Sequence, residues 1–462
     1  MLEARLENVY NDDRRGDNVY LNRKIDDYLL EWKKTSDHKP LIVKGARQTG
    51  KTRSIRQFVD SHYSNVIYIN FVEEPKYKGI TQRGYSTEDV ISSISMLNPR
   101  ATFPESKTVF FFDEVQDHVD LLTTLKFFHL DGRYDVICSG SMLGLQYQQI
   151  NSVSVGYKTD YTMRSMDFEE FLWAKGYPRT IADTLLHHMT EKIPFTPSEF
   201  QLFASLFHEY TLLGGMPEVV SKAIELRSFE GSLSRQLQIL QDYRDDMQKY
   251  AMGLDKAKIL SVFKHIPVQL ARDNKKFQWT KMDPNARFRD YVGVVDWLND
   301  AGLVHVCYAL NDLSLPLKGN YDASKFKIYM QDTGLFVAML DEESQDDLRA
   351  NRNFGVYKGG LYESIVADAF VKSGLDLYYY KNISSTMKLD FLVRSKNDLV
   401  PIEVKASDGN SKSLRVVIDQ DKHPEITFGI KLANRNIGVA GNIETYPLFL
   451  AFLIKTYLSH RA

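Results

Sequence analysis

Gly45 to Thr52 read GARQTGKT, a G-x-x-x-x-G-K-T spacing entered from the apolar run LIVK. These residue types at this spacing can hold phosphate. Gly45 and Gly50 permit a tight turn and close backbone approach. Ala46, Arg47, Gln48 and Thr49 supply successive backbone N–H groups, and the helix opening at Lys51 adds the positive end of its dipole. Lys51 is the candidate contact to the β and γ phosphates. The Thr52 hydroxyl is the candidate Mg²⁺ ligand, and Arg53 closes the cofactor-binding stretch.

A second stretch supplies the acid chemistry that such a cradle needs. TVFFFDEVQ (Thr108 to Gln116) is an apolar strand pattern ending in two carboxylates. Asp113 is placed to orient Mg²⁺ and Glu114 to polarise water for attack on the γ-phosphate, so ATP and Mg²⁺ are the expected cofactors. A third run, YDVICSGSMLG, ends in small hydroxyl residues, of which Ser139 or Ser141 can face the γ-phosphate; a Ser-Gly-Ser turn without contact is the alternative. The arginine that would complete such a site is not singled out by spacing among Arg47, Arg133 and Arg164, and a neighbouring subunit often supplies it, which makes a homo-oligomer the expectation by analogy.

Far along the chain, KLDFLVRSKNDLVPIEVKAS sets Asp390 ahead of Glu403-Val404-Lys405. This is the D-x(n)-E-x-K pattern of restriction-endonuclease-like folds. Two carboxylates on neighbouring strands can share a divalent ion at a phosphodiester, and a lysine can stabilise the charge that develops. Glu403 and Lys405 are two apart and share one strand face. Glu363, on the amphipathic stretch GGLYESIVADAFVKSG, is a further candidate metal ligand. An E-V-K triplet on an ordinary amphipathic strand is the competing explanation.

The elements that must carry these groups follow from periodicity. Residues 17 to 36 form a helical lead-in with Ile25, Leu29 and Trp32 on one face, packed beside the phosphate loop. Alternating strands and helices through residue 144 predict a parallel sheet, with ligands at the strands' C-terminal ends. Residues 180 to 234 are helical, with a sharp Gly214-Gly215 turn. Residues 236 to 310 suggest three helices and a hairpin wing. Between Arg244 and Asp290 there are 11 Lys/Arg against 6 Asp/Glu. That excess makes a duplex-binding face, with Lys275, Lys276, Lys281, Arg287 and Arg289 as candidate phosphate contacts, although winged helices also serve as plain interaction modules.

GARQTGKT, FFFDEVQ, CSGSMLG, VGYKTDYTMRSMDFEEFLWAKG and LLGGMPEVV, in this order, together resemble the prokaryotic AAA-family ATPases fused to a restriction-endonuclease-like domain of unknown function. The resemblance implies an α/β fold class: a P-loop NTPase parallel-sheet core (1–175), a helical lid (176–235), a winged-helix segment (236–320) and an α/β restriction-endonuclease-like domain (321–462). It matches FKIYMQDTGLF to a linker before the last domain. It implies ATP hydrolysis coupled to DNA binding or cleavage, or else an ATP-driven switch that binds nucleic acid or protein without cutting.

Whole-chain properties narrow the setting. The 462 residues exceed one hydrophobic core, so two to four domains are expected. A net charge of −2 gives no global field for nucleic acid or membrane, so DNA must meet a local patch. Cys138 and Cys307 are far apart and inside apolar runs, as buried thiols of a reducing compartment would be. With no apolar leader or membrane-length run, the cytoplasm is the expected location.

Overall fold

A strand that is apolar on both sides needs a layer on each side, and Thr108–Asp113 (β3) is buried at every position. Phe110 and Phe112 pack into one cluster with Val90, Ile94 and Phe128, whereas Val109 and Phe111 pack on the opposite face with Ile55, Phe58 and the lead-in residues Ile25 and Leu29. The computed structural model describes residues 20–141, 154–251, 256–270, 276–282, 284–350, 357–382, 387–406, 411–419 and 422–461. In it β3 lies between Asn65–Asn70 (β2) and Asp135–Ser141 (β4); Leu41–Gly45 (β1) follows, and Thr159–Thr162 (β5) closes the sheet. The order β2-β3-β4-β1-β5 is parallel throughout, as the alternation of strands and helices predicts.

Helices Ile181–Thr190, Pro197–Leu213 and Pro217–Leu226 follow, then the long helix Ser232–Tyr250. Thr196 caps the second of these by accepting from the Glu199 N–H while Glu199 reaches back, and Pro197 sits where a first-turn proline costs no hydrogen bond.

The hairpin wing expected within residues 236–310 is not found there: among the described residues only Val304–Leu310 (β6) falls in that range, and its antiparallel partner is Tyr321–Met330 (β7), the stretch that includes FKIYM. The β6–β7 hairpin is not free-standing. β6 also pairs in parallel with Tyr378–Lys381 (β8), which pairs with Lys388–Leu389 (β9), so the hairpin belongs to a four-stranded sheet and spans residue 320/321. FKIYMQDTGLF is likewise no linker. Its strand half is the buried end of β7, and its helix, Thr333–Ala338, is buried at every position.

The last sheet contains Phe391–Ser395 (β10), Asp398–Lys405 (β11), Gly429–Ala433 (β12), Gly438–Ala440 (β13) and Ile443–Pro447 (β14), in the order β10-β11-β12-β14-β13. β10 and β11 form the antiparallel hairpin expected around the D…E-x-K pattern. The Tyr357–Lys372 helix precedes this group and Lys412–Ile418 interrupts it. A single apolar core runs from Phe168 and Phe207 through Tyr243 and Trp297 to Phe370, Ile430 and Leu450. Both cysteines are buried free thiols. Among the described residues, no helix is long and apolar enough to cross a membrane.

Candidate phosphate site and carboxylate pocket

The phosphate loop leaves the C-terminal end of β1 and enters the helix Lys51–His62. Gly50 is the helix N-cap at φ 95°, where a side chain would be strained. A Cβ on Gly45 would collide with the Met163 carbonyl beside β5. These are the two positions where the loop needs glycine.

Lys51 is buried and folds back on the loop, its Nζ donating to the carbonyls of Gly45 at 3.1 Å and Ala46 at 2.8 Å. Burial lowers its pKa to about 8, against the pull of Glu114 and Asp113. Above that pH the free loop carries a neutral lysine, and incoming phosphates recharge it. Nucleotide binding is therefore expected to take up about one proton above pH 8, and affinity to fall by up to about tenfold per pH unit there. Titration calorimetry at pH 9 in two buffers of different ionisation enthalpy measures this directly; identical heats would refute it.

Asp113 ends β3 at 2% exposure and is the hub of the site. Its Oδ2 accepts from Thr52 Oγ1 at 3.0 Å, Tyr68 Oη at 3.1 Å and Asn70 Nδ2 at 3.4 Å. The Ser139 hydroxyl from the tip of β4 meets the other carboxylate oxygen. Of the two candidate serines, Ser139 touches this acid, whereas the Ser141 N–H donates to Gln116 Oε1 at 3.1 Å. Glu114 lies just past the strand in a left-handed conformation (φ 55°), with its carboxylate taken by the Gln116 amide. Thr52 and Asp113 thus offer paired oxygen atoms of the kind a hard divalent cation takes, beside a lysine suited to phosphate.

Contacts that local pattern could not foresee hold the loop in place. Arg23, buried at 4% exposure, is the N-cap of the lead-in helix Lys24–Lys34, donating to the Thr49 carbonyl at 2.7 Å and pairing with Glu170 at 3.1 Å. From Ser232–Tyr250, Asp246 pairs with Arg47 at 2.7 Å and Asp242 accepts from Gln48 Nε2 at 2.5 Å. Tyr243 Oη donates to the Arg47 carbonyl. Burial lifts the Asp246 pKa to about 6, with Arg47 opposing. A cleft beside Gly50, lined by Tyr20, Arg23, Gln48, Arg53 and Pro217, opens next to the loop.

The arginine candidates separate by position. Arg47 stands in the loop. Arg133 precedes the N-terminal end of β4, on the opposite edge of the sheet, and is tied to Asp131, Glu88 and Glu105. Arg164 follows β5 and is half-buried, with Asp368 the acid acting on it.

The remote set forms a buried pocket. Glu363 (3% exposed), Asp390 (5%) and Glu403 (3%) come from the Tyr357–Lys372 helix, the turn before β10, and β11. Lysines, two of them unforeseen, answer them. Lys327 of β7 lies 3.1 Å from Glu363; Lys388 lies 3.5 Å from Glu363 and 3.0 Å from Asp390; Lys405 lies 3.3 Å from Glu403. Burial raises the Glu403 pKa, with Lys405 opposing. Among the described residues, no group of three or more His, Cys, Asp or Glu side chains is spaced to hold a metal ion.

Of the duplex-contact candidates, Lys281, Arg287 and Arg289 are exposed, Lys276 is half-buried, and Lys275 lies outside the described residues.

Residues 37–172 match the family model described as "AAA domain", residues 204–346 a domain of unknown function (DUF8612) and residues 358–449 another (DUF4143). No curated protein matches. Among solved structures, the chain is similar to the Walker-type ATPase PABY2304 of Pyrococcus abyssi at 13% identity, covering 71% of this chain and 99% of that one, with a TM-score of 0.42. It is also similar to the Aeropyrum pernix ORC1 protein in complex with DNA at 13% identity, covering 72% and 95%, with a TM-score of 0.29. A third likeness is to Cdc6p from Pyrobaculum aerophilum at 14% identity, covering 63% and 90%, with a TM-score of 0.25. The AAA match, on a parallel sheet with this loop at its C-terminal edge, supports an AAA-type ATPase that binds ATP.

Proposed function

We propose that this chain hydrolyses ATP in a Mg²⁺-dependent reaction at Lys51, Thr52, Asp113 and Glu114, and that turnover acts on DNA through the C-terminal half. The observation that carries the ATPase reading is the 3.0 Å hydrogen bond from Thr52 to Asp113, which joins the end of the phosphate loop to the acidic tip of β3. Phosphoryl transfer of this kind depends on positioning and charge stabilisation. Lys51 and the loop N–H groups bind the phosphates. Thr52 and Asp113 would hold Mg²⁺, which supplies charge neutralisation at the phosphates. Glu114 orients and polarises the attacking water, and Ser139 fixes Asp113; Ser141 is the neighbouring polar candidate. Lys51→Ala is expected to lose nucleotide binding.

For the C-terminal half, the helix-strand-hairpin-helix-strand order around Asp390, Glu403 and Lys405 supports a restriction-endonuclease-like fold. Residues 236–320, with Lys276, Lys281, Arg287 and Arg289, carry the proposed DNA-binding face. A second reading, an ATP-driven switch whose C-terminal domain binds without cutting, is favoured by the lysine held against each of the three buried acids. Plasmid incubated with Mg²⁺ or Mn²⁺, with and without ATP, separates the two. Cleavage that Lys405→Ala abolishes supports the nuclease; salt-sensitive binding without cleavage supports the switch.

A further inference from the structure

Glu363, Asp390 and Glu403 carry three formal negative charges into a space nearly closed to water. Lys327, Lys388 and Lys405 carry three positive charges into contact with them. These six groups balance one another without any ion, and the buried Lys431 of β12 stands beside Glu403 in the sheet. Other groups consolidate this arrangement: Tyr329 Oη donates to Glu363 at 3.0 Å, and the Val404 N–H donates to Asp390 Oδ2 at 3.1 Å. One acceptor is left over. Glu403 Oε2 is buried without a hydrogen-bond partner among the described residues. The pocket thus has spare acceptor capacity and no spare negative charge.

The three lysines differ in how they are held. Lys327 has 1% side-chain exposure and is built into β7 between Glu363 and the Tyr379 ring. Lys405 sits on the same strand as its acid. Lys388 alone bridges two acids from different elements, and its side chain is 34% exposed, so it stands at the mouth. A divalent ion shared by Glu363 and Asp390 would take oxygen ligands at about 2.0 to 2.6 Å. The Lys388 ammonium already occupies that bridging position. Adding a doubly charged ion to an already balanced, desolvated cluster leaves uncompensated positive charge, which a buried site does not tolerate.

We propose that Lys388 is an internal counter-cation that excludes divalent metal from the Glu363, Asp390 and Glu403 pocket, and that removing it converts the pocket into a divalent-cation site. The inference rests on reading these acids as an endonuclease-type set, and it makes the wild-type domain a binding module rather than a nuclease.

The test is Mn²⁺ titration of the full-length, nucleotide-free protein, with free Mn²⁺ read by electron paramagnetic resonance. Wild type and Asp390→Asn are expected to bind Mn²⁺ identically, which cancels any contribution from Thr52 and Asp113. Lys388→Met keeps the side-chain stem and is expected to gain one equivalent, bound at least about tenfold more tightly than any wild-type site. That equivalent should vanish in Lys388→Met/Asp390→Asn. A wild-type Mn²⁺ site lost in Asp390→Asn would overturn the proposal, and so would a folded Lys388→Met that gains nothing. If Lys388→Met does not fold, Lys388→Gln replaces it, and the wild-type comparison with Asp390→Asn decides by itself. Plasmid cleavage by Lys388→Met separates this inference from the nuclease reading. A gained ion without cleavage upholds the counter-cation and removes the nuclease; a gained ion with Lys405-dependent cleavage upholds both the counter-cation and the endonuclease-type set.

Discussion

Glu114→Gln is expected to bind ATP as tightly as the wild-type protein and to hydrolyse it at less than about one hundredth of the wild-type rate. The carboxylate sits one residue beyond β3, where a left-handed turn at φ 55° aims it away from the strand and into contact with the Gln116 amide. Glutamine fills the same volume and can present its own amide to Gln116, so the turn is preserved. What it loses is the ability to draw a proton from water. Binding should survive because the proposed phosphate contacts are Lys51 and the loop, and one negative charge near the phosphates would be gone. A fluorescent ATP analogue measures the first quantity and phosphate release the second. Turnover at the wild-type rate would remove Glu114 from the reaction, and loss of binding would mean that it holds the loop rather than the water.

The geometry of the candidate phosphate site was legible because its information is local. GARQTGKT carries the turn glycines, the lysine and the hydroxyl within eight positions, and the phenylalanine run of β3 can be satisfied only by a layer on each side, which fixes where Asp113 emerges. The lead-in was legible for the same reason, since Ile25, Leu29 and Trp32 repeat at helical spacing and are buried together. What local pattern could not carry is the partner that arrives from elsewhere. Nothing in the local pattern marks out Asp242 and Asp246, yet they close on Gln48 and Arg47, 194 positions from Gln48 to Asp242. Lys388 is not singled out by local pattern either. Only the meeting of β9 with the Tyr357–Lys372 helix makes it the cation between two acids. β6 and the end of β7 were each visible as strands, but not as partners in one hairpin. That β6 has a second neighbour in β8 was not visible either, because parallel pairing between distant strands leaves no mark on the intervening sequence.

The same logic identifies a costly side chain to remove outside the phosphate site. Asp332→Ala is expected to destabilise the protein by about 3 kcal/mol, combining the loss of a helix cap with the loss of a buried charge-assisted hydrogen bond. Asp332 is fully buried; its Oδ2 accepts from the Gly215 N–H at 2.7 Å, and its Oδ1 from the Leu335 N–H at 3.2 Å, capping the Thr333–Ala338 helix. The Gly214-Gly215 turn leaves no room for substitutes. A Cβ on Gly214 would strike Asp332, one on Gly215 the Met166 carbonyl, and one on Gly334 the Leu213 carbonyl. The turn after the helical layer, the chain leaving β5 and the start of the Thr333 helix therefore interlock around one carboxylate. Alanine strands two buried N–H donors, whereas Asp332→Asn keeps an acceptor and should cost about 1 kcal/mol. Chemical denaturation of both variants, followed by tryptophan fluorescence, gives the order. If Asp332→Ala unfolds at the wild-type midpoint, the interlock is not a stabilising one. If it instead lowers the midpoint as expected while ATP binding at Lys51 persists, the damage lies in the junction between the helical layer and the C-terminal half, through which hydrolysis would have to act.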